Sequence, residues 1–122
     1  MLKLKPLLTK ILKAITHAQT TSVAVGNNAS GALNIAKYGR LVIMSGIIHN
    51  NIAGINLLVT GIPMEYAPLW DTWISCNIYG ATSGCEAHVA AANGGVYLSY
   101  PVAGSDIKVC GVWLAASTTI TA

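Results

Sequence analysis

Two short runs in this chain are apolar on both faces if they are strands, and that restricts the folds open to it. In Leu41–Ile48, "LVIMSGII", one face carries Leu41, Ile43, Ser45 and Ile47, and the other Val42, Met44, Gly46 and Ile48. In Ile107–Ala115, one face carries Ile107, Val109, Gly111, Trp113 and Ala115, and the other Lys108, Cys110, Val112 and Leu114. Successive side chains of a strand point to opposite faces. A two-sheet sandwich buries one face of each strand and wets the other. Doubly apolar strands therefore call for a second cover. With 122 residues the chain is one domain with no spare layer of its own, so the expected cover is another copy of itself.

The composition agrees. Only 9% of residues are charged, where about 25% is typical of soluble domains. A membrane could also absorb such a surface. However, the longest near-apolar run ends at His49-Asn50-Asn51, far short of the roughly 20 residues a spanning helix needs, and no membrane span is expected. The formal charge of +3 is unevenly placed. Lys3, Lys5, Lys10 and Lys13 lie in the first segment. From residue 20 onward, Lys37, Arg40 and Lys108 face Glu65, Asp71, Glu86 and Asp106. A nucleic-acid-binding domain carries its basic patch on the fold, and this one is slightly acidic, so that class is set aside.

The first segment, "MLKLKPLLTKILKAI", has lysines throughout its apolar residues, which excludes the unbroken apolar core of a signal peptide. Pro6 suits a first helical turn. Leu8, Ile11, Ile15 and Ala18 recur at spacings of three and four, forming a heptad seam widened by Leu7 and Leu12. Two heptads do not hold an isolated helix together in water. The favoured reading is an oligomer stem, with isoleucine on the seam leaning toward three or more helices. The alternatives are a helix packed on its own domain and a basic helix lying on a membrane surface.

The expected organisation is a helical stem over residues 1–19, a linker over 20–31 containing at most one short strand, and a β domain over 32–122. Strands are predicted near Leu33–Lys37, Arg40–Ile48, Ile55–Val59, Asp71–Tyr79, Glu86–Ala91, Gly95–Tyr100 and Asp106–Ala115, separated by turn residues. "EAHVAAANGGVYLSY" is the clearest hairpin, with Asn93-Gly94 offering the positive φ angles of a tight turn. The expected fold is all-β: an antiparallel β-sandwich preceded by a short N-terminal α-helix. The three cysteines, Cys76, Cys85 and Cys110, are an odd number with no signal sequence, and are expected as reduced thiols packed in strands.

The order of these elements resembles the C-terminal head domains of bacteriophage tail-fibre and baseplate receptor-binding proteins. In those heads a strand of the type G-x-V-V-x-L-x-G precedes T-L-P-x-x-Y-x-P, a glycine turn and a closing strand ending in an aromatic. Here Gly39 to Gly46 correspond to the first element, and Thr60, Pro63, Tyr66 and Pro68 to the second. Asn93 to Val96 correspond to the turn, and Ile107 to Leu114 to the last strand. The resemblance spans about residues 30 to 116 and departs at Gly61-Ile62, where one leucine is usual. It implies a jelly-roll-like sandwich that forms a homotrimer on a stem and recognises a host-surface saccharide. It also implies other tail or baseplate proteins as partners, and a place at the virion tail tip after assembly in the bacterial cytoplasm. The alternatives are a purely structural trimerisation cap of a virion fibre and a bacterial carbohydrate-binding module.

No catalytic constellation is apparent, and a non-enzyme without cofactor is expected. The four acids are scattered along the chain. "CEAH", Cys85 to His88, has a metal-like spacing, but on a strand those two residues point to opposite faces, and no metal is expected. Ser45 lacks the strand-to-helix setting of a nucleophile elbow. For binding, "YAPLWDTW" contributes Tyr66, Trp70, Asp71 and Trp73: flat rings on which sugars stack, with an acid to accept hydroxyl hydrogen bonds. The competing reading is core packing, the commoner fate of tryptophan on a sandwich strand. His49 and Asn50, in "IIHNNIAG", are expected in an exposed polar turn, either a binding loop or an ordinary one.

Overall fold

The structure, a computed structural model, describes residues 5–10, 18–80 and 84–116. Eight antiparallel strands form one continuous sheet. They are β1 (Gln19–Ala24), β2 (Ala29–Tyr38), β3 (Leu41–Asn50), β4 (Leu57–Gly61), β5 (Thr72–Ile78), β6 (Glu86–Val89), β7 (Gly95–Ser99) and β8 (Ser105–Leu114). Their order across the sheet is β1-β2-β3-β8-β5-β6-β7-β4.

The all-β antiparallel class is as the sequence predicts. In place of the expected two-sheet, jelly-roll-like sandwich there is a single sheet, which bends where β5 changes partners. Thr72, Trp73 and Ile74 pair with β6, and Ser75 to Ile78 pair with β8. A strand that moves from one neighbour to another turns a sheet corner, and here it curls the sheet almost into a barrel. The two edge strands meet at one end, where Gly26 N–H donates to Val59 O at 2.9 Å and Thr60 Oγ1 donates to Ala24 O at 2.9 Å.

The segment expected as a linker is part of this wall. β1 pairs with β2 along its full length, from Gln19↔Lys37 to Ala24↔Ala32. Asn27 and Asn28 turn the chain between them with φ of 56° and 68°, a region in which asparagine is tolerated better than most residues. In the β6–β7 hairpin, Gly94 has a positive φ (67°) and Asn93 does not. A Cβ on Gly94 would stand 2.6 Å from Ile62 O, and the Ile62 N–H donates to the Gly94 carbonyl at 2.9 Å. The glycine is needed there for close approach as well as for the turn.

The interior is filled from every side of the wall by Leu33, Ile35, Val42, Met44, Ile48, Val59, Val89, Val96, Leu98, Ile107 and Trp113. β8 alternates without exception: Ile107, Val109, Gly111 and Trp113 point in, and Lys108, Cys110, Val112 and Leu114 point out. Trp113 donates from Nε1 to Tyr66 O at 2.7 Å. That bond fastens the 3₁₀ turn Met64–Tyr66 over one end of the barrel. Lys37 is buried beneath the same turn, and its Nζ donates to Glu65 O at 2.8 Å.

Residues 5–10 are helical and all exposed. Leu7 and Leu8 are uncovered by the barrel. Of the other seam positions, Ala18 is half-buried, while Ile11 and Ile15 lie outside the described residues. Among the described residues no helix is long and apolar enough to cross a membrane.

Candidate functional site

The two doubly apolar strands are neighbours, and their register places their outward side chains together. Leu41 faces Leu114, Ile43 faces Val112, Ser45 faces Cys110 and Ile47 faces Lys108. Ala36 of β2 lies beside Ile43, and Tyr38 beside Leu41. Ile47, Val112 and Leu114 are about half exposed, and Leu41 and Ile43 nearly so (40% and 39%). The inward parity of both strands fills the core, which leaves the outward parity as a contiguous apolar face. Such patches on a soluble protein mark contact surfaces.

The tryptophans of "YAPLWDTW" border this face. Trp70 and Trp73 are 69% and 65% exposed, so both are surface rings and core packing is not their role. The buried tryptophan is Trp113, at 5%. A depression of about 230 Å³ is lined by Leu69, Trp70, Thr72, Val112, Trp113 and Leu114, continuous with the apolar face. Asp71 Oδ1 accepts a hydrogen bond from Ala91 N–H at 2.9 Å, which ties the start of β5 to the β6–β7 turn.

Three candidates are placed differently from expectation. Tyr66 is 2% exposed; its ring packs into the barrel end and is not offered to a ligand. Its hydroxyl is held above its ordinary range by burial and then by the Glu65 carboxylate, with a Gln19 hydrogen bond acting the other way. His49 and Asn50 are not in a turn, because β3 runs on through both. Asn50 is buried, with Nδ2 donating to Ile52 O and its backbone carbonyl accepting from Gly104 N–H at 2.7 Å. His49 is exposed and its Nδ1 lies 2.7 Å from Asp106 Oδ1, a surface pair at the strand ends.

One arrangement was not foreseen from the sequence. Trp73, His88 and Tyr97 stand side by side across β5, β6 and β7. The Trp73 and His88 rings are 4.7 Å apart and tilted by 52°; His88 and Tyr97 stack at 5.0 Å, 9° from parallel. Asn93 Nδ2 donates to Tyr97 Oη at 3.1 Å. The signal was the register of the "EAHVAAANGGVYLSY" hairpin, which puts His88 opposite Tyr97. The Trp73 partner required knowing that β5 joins β6. Among the described residues, no group of three or more histidines, cysteines or acids is placed to hold a metal ion.

The cysteines divide. Cys110 is exposed on the outer face, contrary to the expectation of a packed thiol. Cys76 and Cys85 are half-buried against the core. Burial pushes the Cys76 thiol up to about 12, with the hydrogen bond to Cys85 and the charges of Cys85 and Glu86 acting in the same direction. In the unfolded chain that thiol returns to its ordinary 9.0, so above pH 9 the unfolded state loses its proton first. Stability is therefore expected to fall as pH rises from 9 toward 12, by on the order of 1 kcal/mol at pH 10.5 after allowance for solvent screening. Denaturant titrations at pH 8 and 10.5 under reducing conditions check this. Cys76→Ser should shrink the difference, leaving the part due to Tyr66, which acts with the same sign.

No protein-family model matches the chain, and neither does any curated protein.

Proposed function

We propose that this protein is a non-catalytic, self-associating β head of the phage tail-fibre type: a homotrimer that touches a bacterial surface saccharide. The apolar outer face built by Leu41, Ile43, Ile47, Val112 and Leu114 carries this reading. These side chains are already about half covered, so burying the rest is worth roughly half of the 1.5–3 kcal/mol of full burial, and five per chain still supply a drive to associate. The exposed Leu7 and Leu8 of the helical segment add a second surface suited to the same assembly. The aromatic row Trp73–His88–Tyr97, with Asp71 and Asn93 nearby, supplies the stacking faces and polar groups that a saccharide uses. Within this reading the protein sits at a virion tail tip among other tail or baseplate proteins.

A second reading is favoured by one observation. The depression beside Trp70 runs into the apolar face, so Trp70 is suited to contact between copies and not to a ligand. If Trp73 serves the same purpose, the protein is a structural trimerisation cap.

The test is a panel of bacterial cell-wall and capsule saccharides against the assembled protein, with Trp73→Ala alongside. Saccharide binding by the wild type, weakened about tenfold or more by Trp73→Ala at unchanged mass, supports the receptor-binding head; loss of one stacking ring is worth on the order of 1–2 kcal/mol. Saccharide binding by a monomer indicates a carbohydrate-binding module instead. No binding by a correctly assembled trimer leaves the structural cap.

A further inference from the structure

We propose that Cys76, in β5, and Cys85, just ahead of β6, form an intrachain disulfide by exchange with a low-molecular-weight disulfide. The β5–β6 ladder runs Thr72↔Val89, Trp73↔His88 and Ile74↔Ala87. Two further steps in the same register set Cys76 opposite Cys85. Directly opposed residues of an antiparallel pair are the ones whose side chains meet. The ladder stops at Ile74↔Ala87, so the two cysteines lie just beyond the paired stretch. Their Sγ atoms approach to 2.7 Å, well inside ordinary non-bonded contact of two sulfurs. Both are half-buried against the same core, which holds them on one side of the sheet. Cys110, paired with Ser75, faces outward and away from them.

The chemistry balances without a cofactor. The Cys85 thiolate attacks one sulfur of a small disulfide such as oxidised glutathione, forming a mixed disulfide and releasing one reduced thiol. Cys76, after giving its proton to water, attacks the Cys85 sulfur and releases the second thiol. The protein loses two electrons and two protons, and the small disulfide takes them up. Because burial keeps the Cys76 thiol protonated at neutral pH, the second step is the slow one. The bond would tie β5 to β6 where their pairing ends, three residues from the Trp73–His88 contact, and so fix the register on which the aromatic row depends.

The sequence offers a clean readout. Trypsin cuts after lysine and arginine, leaving Cys76 and Cys85 together in residues 41–108 and Cys110 in 109–122. The full-length native protein is incubated with oxidised glutathione, alkylated and digested. The expected result is a 41–108 peptide that resists alkylation at both cysteines and is about 2 Da lighter than its reduced form, from the two hydrogens lost. The oxidised protein should also melt roughly 5–10 °C above the reduced one, as expected for closing so short a loop. Cys110→Ser should change neither result, and Cys85→Ser should abolish both. Equal alkylation of Cys76 and Cys85 before and after oxidation, or a disulfide that includes Cys110, would overturn the proposal. The wild-type peptide map decides this even if Cys85→Ser fails to fold.

Discussion

If the protein is the proposed trimer, Ile43→Asp combined with Val112→Lys is expected to convert it to a monomer, a threefold fall in mass by light scattering to 12.7 kDa. The two residues are directly opposed at the centre of the apolar face, and both side chains point away from the core. The paired charges can satisfy one another in water, so the barrel should remain folded with an unchanged β-type circular dichroism spectrum. In an interface they would have to be desolvated, at a cost of several kcal/mol per copy. Even 4 kcal/mol raises the dissociation constant by about a thousandfold. A chain beginning at Ala18, which keeps β1 whole, separates the contribution of the helical segment. If that chain stays trimeric, the barrel wall holds the assembly; if it dissociates, the seam of Leu8, Ile11 and Ile15 is the clasp. A wild-type chain that is monomeric at all concentrations would remove the basis for the proposed assembly.

Trp113→Ala should be the most destabilising single substitution. The ring is 5% exposed, and its Nε1–H bond to Tyr66 O holds the turn that closes one end of the barrel. Removing a buried tryptophan costs about 3–5 kcal/mol, a large share of the 5–15 kcal/mol by which domains are stable. The loss should reach further than the cavity. Tyr66 and Ala67 pack at the same end, and Lys37 donates to the carbonyl of the adjoining Glu65. Gly111 belongs to the same arrangement: a Cβ there would meet Ile74 Cγ2 at 2.4 Å and the Trp113 ring at 3.0 Å. Urea denaturation measures the effect. Trp70→Ala serves as the contrast, since its exposed ring should change the stability of the barrel by less than 1 kcal/mol. Equal losses for the two variants would contradict the inward placement of Trp113.

Much of the strand layout was legible. The β2–β8 segments fall within a few residues of the predicted runs, because period-2 patterning and turn residues act locally. The first strand was less legible. "QTTSVA" has little apolar signal, and as an edge strand it buries its side chains only partly, so its sequence differs little from a linker's. The end of β3 was misplaced for a related reason. His49 and Asn50 look like turn residues, yet pairing with Asp106 and Ser105 of β8 carries the strand through them. A strand partner distant in sequence decides where such a strand stops.

By itself the sequence determined the class. Its short runs between turn residues pointed to an antiparallel β fold, and its scarcity of charge to an outward surface that is partly apolar. The sense of each alternation was left to the tertiary structure. Where both parities are apolar, as in β3 and β8, local patterning is symmetric. Only closure of the sheet selects Val42, Met44, Ile107 and Trp113 for the interior and leaves Ile43, Ile47, Val112 and Leu114 outside. The same closure buries Tyr66 and Trp113 while exposing Trp70 and Trp73. It also brings together side chains that are remote along the chain, setting Trp73 beside His88 and the Cys76 thiol against that of Cys85. Burial depends on which strands become neighbours, and that is a property of the whole sheet, which no window of sequence contains.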